Sequence, residues 1–284
     1  MRVVRSGMAP TLSVAATSLT SEMAGPEANL KKAAEVIAIA TERGAEVVVF
    51  PETYITGYTC GEVEGKFFDL AEPIPGPSTE VLAKHAQNYN VYIAVGLVEA
   101  NQDYPGLIHN SAVFLGPEGI LHVHRKVHLP NFPPFKEITY GFTPGDKFTV
   151  FKIKQNWNIG MLICYDASFP EPARVMAING ADLLITLSAG PEGTEKGWTL
   201  INQMRGRENT IFYLFSNAVG PQWGNVSFFG GAMIVAPDGE ILARGKVGEE
   251  DIIVVEIEAT ALFDRRKTYP VLRDRRPSAY KGIV

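Results

Sequence analysis

AVFLGPEGILHVHRK (Ala112–Lys126) and AMIVAPDGEILARGK (Ala232–Lys246) stand far apart in the chain and read alike. Each is an apolar run, a Pro-acid-Gly turn and a returning run that ends in basic residues. Apolar runs on either side of such a turn predict a β-hairpin. A second pair repeats the relation. AEVVVFPE (Ala45–Glu52) and ADLLITLS (Ala181–Ser188) each follow a helical pattern that closes at a Gly-Ala step. The chain therefore reads as two related halves, each a sheet with helices on one side. Two such halves could stack sheet on sheet with their helices outside, an α/β fold in the form of a four-layer α-β-β-α sandwich built from two similar halves. No linker or low-complexity stretch separates the halves, so a single domain is expected over residues 10–284, with a distinct tail from about residue 260.

The intervening segments agree with this plan. ANLKKAAEVIAIATERG (Ala28–Gly44) has apolar residues at helical spacing and a C-terminal glycine, and STEVLAKHAQNYN (Ser78–Asn90) is a second helix with Ser78 as the expected N-cap. SVAATSL, VYIAVGLVE, KFTVFKI, NIGMLI and TIFYLFSNA read as strands. EPARVMAIN and a segment from about Glu195 to Asn209 read as helices.

Composition narrows the function classes. The chain has 284 residues, 46% hydrophobic and 20% charged, which is ample for a sizeable core. A net charge of -5 argues against a dedicated binder of nucleic acid or anionic membrane. Cys60 and Cys164 are the only cysteines, so there is no disulfide framework and a reducing, cytoplasmic setting is expected. No apolar run approaches the roughly 20 residues of a membrane span. The tail LFDRRKTYPVLRDRRPSAYKG (Leu262–Gly282) is basic and aromatic, but Asp264 and Asp274 dilute its charge. It suits a subunit contact, with Tyr269, Tyr280 or both buried in a homo-oligomer, a dimer or a multiple of dimers.

Three residues stand where strands end. Cys164 closes NIGMLI and precedes a Pro-Glu-Pro turn and a helix. There a thiol is presented, and the following backbone N–H is available to a developing oxyanion. Glu52 in FPET follows a buried strand and opens the loop YITGYTCGE, which contains Tyr58 and Cys60; a partly desolvated carboxylate there can act as a general base. Lys126 ends its strand, where an ammonium lowers a nearby thiol pKa and holds an oxyanion. The alternating His122, His124 and His128 open a rival reading, an H-x-H metal site at His122 and His124 serving a metal-dependent hydrolase. The loop SAGPEGTEKGW (Ser188–Trp198) fails the phosphate-loop pattern, because Glu195 replaces the glycine before Lys196.

Taken together, FPET, HRKVHLP and ICYDASFPEPAR resemble the Glu-Lys-Cys signature of the nitrilase superfamily, the carbon–nitrogen hydrolases, and the resemblance runs over roughly residues 10 to 281. It implies Glu52 as general base, Lys126 as oxyanion lysine, Cys164 as nucleophile and the Tyr165 backbone N–H as the second oxyanion donor. Glu137, in KEITYGFTPGD, matches the family's second glutamate, which orients the lysine and the substrate amide. Tyr58 and Glu192 are expected at the substrate, with Glu195 an alternative to Glu192. No metal or organic cofactor is implied, and the substrate is a small amide.

Tyr165-Asp166 stands where nitrilases in the strict sense have Trp-Glu, which favours amides over nitriles. Ala167 and Ser168 occupy positions where hydrolases of N-carbamoyl amino acids carry arginines. KVHLPNFPPFKE, CYDASFPEPARVMA and VLRDRRPSAYKG resemble the carbamoylputrescine amidases most closely. The expected activity is hydrolysis of a small carboxamide or N-carbamoyl amine with release of ammonia.

Overall fold

In the computed structural model, residues 10–58, 66–222 and 226–283 are described. The N-terminal half runs β1 (Thr11–Leu19), α1 (Pro26–Glu42), β2 (Val47–Val49), α2 (Lys66–Leu70), α3 (Pro77–Tyr89), β3 (Tyr92–Ala100), β4 (Ile108–Gly116) and β5 (Gly119–Arg125). A short ribbon, β6 (Asn131–Phe132) and β7 (Phe135–Lys136), leads into the second half. That half runs β8 (Val150–Lys152), β9 (Asn158–Ile163), α4 (Pro170–Ile178), β10 (Leu183–Ser188), α5 (Glu195–Asn209) and β11 (Phe212–Pro221). It continues through β12 (Ser227–Phe229), β13 (Met233–Val235), β14 (Ile241–Arg244) and β15 (Asp251–Glu258) to α6 (Ala259–Thr268).

Side-chain alternation along the strands sorts the core into layers. Ala15, Val48, Ile93, Val95, Val113 and Leu115 pack with Ala33, Val36 and Ile37 of α1 and Leu82 and Ala86 of α3. Their neighbours Val14, Ala16, Val47, Val49, Ala94 and Phe114 point the other way, into one cluster with Ile159, Met161, Ile163, Leu183 and Ile185 of the second sheet. Phe114 of β4 meets Phe151 of β8 edge-on at 4.8 Å across that interface. Ala173 and Met176 of α4 and Trp198 of α5 close the far side. The four-layer sandwich read from the hairpin repeat is the observed architecture. The order β5-β4-β3-β2-β1-β11-β10-β9-β8 is continuous, because β1 and β11 join the halves. They pair only at Ser18↔Asn217 and Leu19↔Ala218. The Ser216 hydroxyl reinforces the junction: it accepts from the Thr17 amide at 3.0 Å and donates to the Val49 carbonyl at 2.8 Å.

Two local expectations change. Ser78 does not cap α3. Pro77 takes the first helical position and Gly76 the cap, with the Thr79 hydroxyl accepting from the Gly76 amide at 2.9 Å. Ser78 instead donates its amide and hydroxyl to Glu72. The sequence reading also left Asp251–Glu258 without a strand. It forms β15, antiparallel to β1 from Thr11↔Glu258 to Ser18↔Asp251, so the last strand completes the first half's sheet. By contrast, α1 ends as expected, with Gly44 just past it at φ +86°.

In the single chain Tyr269 and Tyr280 are 40% and 41% exposed, and the Arg265 guanidinium lies 4.3 Å from the Tyr269 ring centroid. Among the described residues no helix is long and apolar enough to cross a membrane.

One glycine decides how the turn after β2 sits on the sheet. A Cβ at Gly96 of β3 would lie 2.3 Å from the Thr53 amide nitrogen and 2.8 Å from the Pro51 carbonyl oxygen. The Pro51–Thr53 turn, which carries Glu52, therefore rests directly on the backbone of β3. Gly96→Ala is expected to cost about 1–3 kcal/mol, the usual penalty for overpacking. It should also move Glu52 and lower turnover more than its drop in melting temperature explains; unchanged turnover would show that this close approach does not position Glu52.

Candidate active site

Glu52 follows β2, Lys126 follows β5, Glu137 follows β7, and Cys164 follows β9. Four strand ends from both halves thus supply the charged and nucleophilic groups. Lys126 is fully buried, and its ammonium donates to Glu52 Oε1 at 2.6 Å and to Glu137 Oε1 at 2.7 Å. Asn110 of β4 was not anticipated as a site residue, yet it holds the same two carboxylates. Its Nδ2 donates to Glu52 Oε1 at 2.8 Å and to Glu137 Oε1 at 3.3 Å, while its carbonyl accepts the Lys126 amide at 2.8 Å. The Tyr58 hydroxyl donates to Glu137 Oε1 at 2.6 Å. Glu52 is also tied to the other half, since its amide donates to the Ser188 carbonyl at 3.3 Å. Glu52 Oε2 and Glu137 Oε2 are buried without a hydrogen-bond partner among the described residues. Two carboxyl oxygens are thus left open to an incoming N–H, O–H or S–H group.

Burial works against the Lys126 ammonium, but Glu137 and Glu52 outweigh it and raise its pKa above the ordinary lysine value. Burial pushes Glu137 up to about 7, against the pull of Lys126. Burial first, and then the Glu52 carboxylate, raise the Cys164 pKa; Lys126 pulls it down as expected, with the Ala189 backbone and the Ser188 hydroxyl, but is outweighed. The free site therefore holds a neutral thiol at neutral pH.

Cys164 adopts φ +44°, in the left-handed region, as does Thr53 beside Glu52. Such a conformation in a non-glycine residue costs of order 1–3 kcal/mol and persists only where surrounding contacts enforce it. Asp166, fully buried, supplies those contacts. Its Oδ2 accepts from the Ile163 amide at 3.2 Å and from His124 Nε2 at 3.1 Å; its Oδ1 accepts from the His128 amide and from His128 Nδ1, both at 2.9 Å. Ile163 precedes Cys164, and His124 and His128 flank Lys126. One carboxylate thus clamps the cysteine turn to the lysine segment.

This arrangement answers the metal reading. His124 and His128 both engage Asp166, whereas His122 bonds Thr149 and stacks on Phe151 at 4.5 Å. Burial also pushes His122 down to about 4. Among the described residues no group of three or more His, Cys, Asp and Glu side chains converges as a ligand set.

A cavity of about 240 Å³ opens beside Cys164, with Tyr58, Phe132, Phe135, Tyr165, Trp198 and Ile201 in its walls. Glu192 is not part of the lining; it is exposed, and its Oε1 accepts from the Ser227 hydroxyl at 2.7 Å. Glu195 accepts from the Gly193 amide at 2.9 Å. Cys60 lies outside the described residues.

The carbon-nitrogen hydrolase family model matches residues 13–265. The chain belongs to the carbon–nitrogen hydrolases. A nitrilase from Pyrococcus abyssi is 32% identical over 94% of this chain and 98% of its own length. An N-carbamoylputrescine amidase from Solanum lycopersicum is 32% identical over 90% of this chain and 89% of its own. The crystal structure of a carbon–nitrogen hydrolase from Helicobacter pylori superimposes with a TM-score of 0.89 at 28% identity, covering 96% of this chain and 98% of that one. The nitrilase-superfamily resemblance seen in the three motifs therefore holds across the whole carbon–nitrogen hydrolase fold.

The Asp166 clamp has a pH signature. Burial alone would raise the Asp166 carboxyl, but the bonds from His124 and His128 win and hold it well below the usual carboxylate range. A depressed folded-state pKa contributes stability that is present above the unfolded value, about pH 4, and is lost as pH falls through the folded value. Melting temperatures of the wild type should therefore fall on acidification below about pH 4 by more than those of Asp166→Asn. At pH 7 the variant should be less stable and turn over more slowly. Parallel acid limbs would mean that Asp166 carries no such linkage.

Proposed function

We propose that this carbon–nitrogen hydrolase is a cysteine-dependent amidohydrolase. The observation that carries the proposal is a strained Cys164 facing an apolar cavity beside a buried glutamate, Glu52, that has one oxygen free. A buried neutral thiol is a poor nucleophile unless its proton leaves as the sulfur attacks. Glu52 Oε2 takes that proton while Cys164 Sγ adds to the carboxamide carbon. The oxyanion is held by the Lys126 ammonium and by the Tyr165 N–H in the first turn after β9, where helix-type N–H groups lack internal partners.

Collapse of the adduct breaks the C–N bond. The proton on Glu52 passes to the departing nitrogen, ammonia leaves, and a thioester remains on Cys164. Water then enters, Glu52 takes one of its protons, and the resulting hydroxide attacks the thioester. The C–S bond breaks, the acid departs, and the thiol regains its proton from Glu52. Each half-reaction uses one carboxylate first as base and then as acid. Glu137 and Asn110 keep Lys126 aimed throughout, and Glu137 Oε2 is an acceptor for the substrate's amide N–H.

Amides are favoured over nitriles by Tyr165-Asp166 after the nucleophile, and by the two open carboxylate oxygens, which match the N–H donors of an amide and have none to accept from a nitrile carbon or nitrogen. The similarity to an N-carbamoylputrescine amidase supports the same branch. A reducing compartment would keep Cys164 as the free thiol that this chemistry needs.

Cys164→Ala should abolish ammonia release from amides while leaving the melting temperature nearly unchanged, because it removes a single sulfur atom. Lys126→Met should fold less stably, since two carboxylates lose their partner, and should slow kcat by about 10²–10³-fold, the usual loss for one oxyanion donor. Full turnover in Cys164→Ala would dismiss the cysteine as nucleophile, and unchanged kcat in Lys126→Met would leave the lysine a purely structural ion.

A further inference from the structure

The walls of the cavity beside Cys164 carry more information than the catalytic groups at its floor. Two of their hydroxyls are engaged elsewhere. The Tyr58 hydroxyl donates to Glu137, and the Thr194 hydroxyl donates to the Pro191 carbonyl at 2.6 Å. The Trp198 indole stacks on Phe215 at 5.2 Å. Phe132 packs edge-on against Phe135 and Tyr165, with centroids at 6.2 and 5.5 Å, forming an aromatic wall that Ile201 faces across the cavity.

Nearby charged side chains do not enter the lining. Glu192 holds Ser227, and Glu195 holds the Gly193 amide. Arg205 donates to the Ala167 and Ser168 carbonyls and to Glu208. Among the described residues, no Asp, Glu, Lys or Arg lines the cavity.

Resting on the amidohydrolase reading above, we propose that the enzyme selects primary amides with an uncharged, apolar acyl group, a short branched alkyl chain or a single aryl ring. Its volume of about 240 Å³ lies below the roughly 300 Å³ at which sites for drug-sized ligands begin, which fixes the scale of the acyl group. An acyl chain ending in a carboxylate would be desolvated against aromatic rings, with no cation among the described lining residues to pair with. A chain ending in an ammonium would be desolvated with no carboxylate among the described lining residues to receive it. Either charge therefore weakens binding and transition state alike, whereas each methylene buried against Trp198 and Ile201 improves kcat/KM by about fourfold.

Ser168 is the position where this preference can be reversed. It is exposed and lines the cavity, and it is the one small polar side chain there whose backbone carbonyl, not its hydroxyl, makes the local bond to Arg205. A cation placed there would reach a carboxylate at the far end of an acyl chain without touching Glu52, Lys126 or Cys164.

The test is ammonia release by the purified full-length chain from amides of matched size: isobutyramide and benzamide, succinic acid monoamide, 3-aminopropionamide and N-carbamoylputrescine. The uncharged pair should exceed every charged substrate in kcat/KM by at least about tenfold. Ser168→Lys should raise the monoamide relative to isobutyramide by about tenfold, by supplying a charge-assisted partner. Preference for a charged amide, with turnover still abolished by Cys164→Ala, would overturn the acyl-group assignment while leaving the amidohydrolase intact. An unchanged ratio in Ser168→Lys would show that the acyl group does not lie along this wall and would also overturn it. No ammonia from any of these amides would remove both readings together.

Discussion

Everything in the site depends on one buried cation. Lys126 has no exposed surface, and its ammonium is shared between Glu52 and Glu137 at 2.6 and 2.7 Å. An isolated charge at that depth would cost many kcal/mol, and a single ion pair often fails to repay desolvation. Here Asn110 and Tyr58 add hydrogen bonds to the same carboxylate oxygens, so the cluster is satisfied on the side facing Lys126. The opposite oxygens, Glu52 Oε2 and Glu137 Oε2, are left open. This asymmetry is what the proposed mechanism uses: one side of the cluster fixes geometry, and the other offers acceptor oxygens with no hydrogen-bond partner among the described residues.

The second half of the fold brings the sulfur to that cluster. The two sheets meet edge to edge only at the β1–β11 junction, and the Glu52 amide bonds to Ser188 at the end of β10. Gly96 lets the Glu52 turn lie on the backbone of β3, and Asp166 ties the cysteine turn to His124 and His128 on either side of Lys126. Strain at Thr53 and Cys164 is thus held from both halves. The thiol's elevated pKa follows from the same closeness: burial first, and then the Glu52 carboxylate, outweigh Lys126.

Much of this arrangement was legible in the sequence because polar or reactive groups at strand ends stand out. Glu52, Lys126 and Cys164 each follow a strand with a polar or reactive side chain, and the paired hairpins announced two halves. Asn110 and Asp166 were not legible as site residues. An asparagine inside a strand and an aspartate in a turn have ordinary local explanations, and their importance lies in partners 27 to 58 residues away. The strand Asp251–Glu258 escaped for a related reason. Its partner is β1, at the opposite end of the chain, and its half-buried apolar run Ile252–Val255 shows no alternation. Ser78 had the composition of a cap, but Pro77 and Gly76 placed the helix start two residues earlier. Glu192, expected at the substrate, accepts from the Ser227 hydroxyl and is not among the residues lining the cavity.

The central claim is that Glu52 moves the proton in both half-reactions while Lys126 holds the charge. Glu52→Gln separates these roles. The substitution removes the carboxylate that raises the thiol pKa and leaves Lys126 in place to lower it, so Cys164 gains thiolate character. An activated ester needs no proton on its leaving group and should still acylate the variant, whereas hydrolysis of the thioester needs base-activated water and should stall. Intact-protein mass spectrometry after mixing Glu52→Gln with such an ester should show one stable acyl adduct, located on Cys164 by peptide mapping. Sustained turnover of an unactivated amide by the same variant, with no adduct on Cys164, would contradict the account.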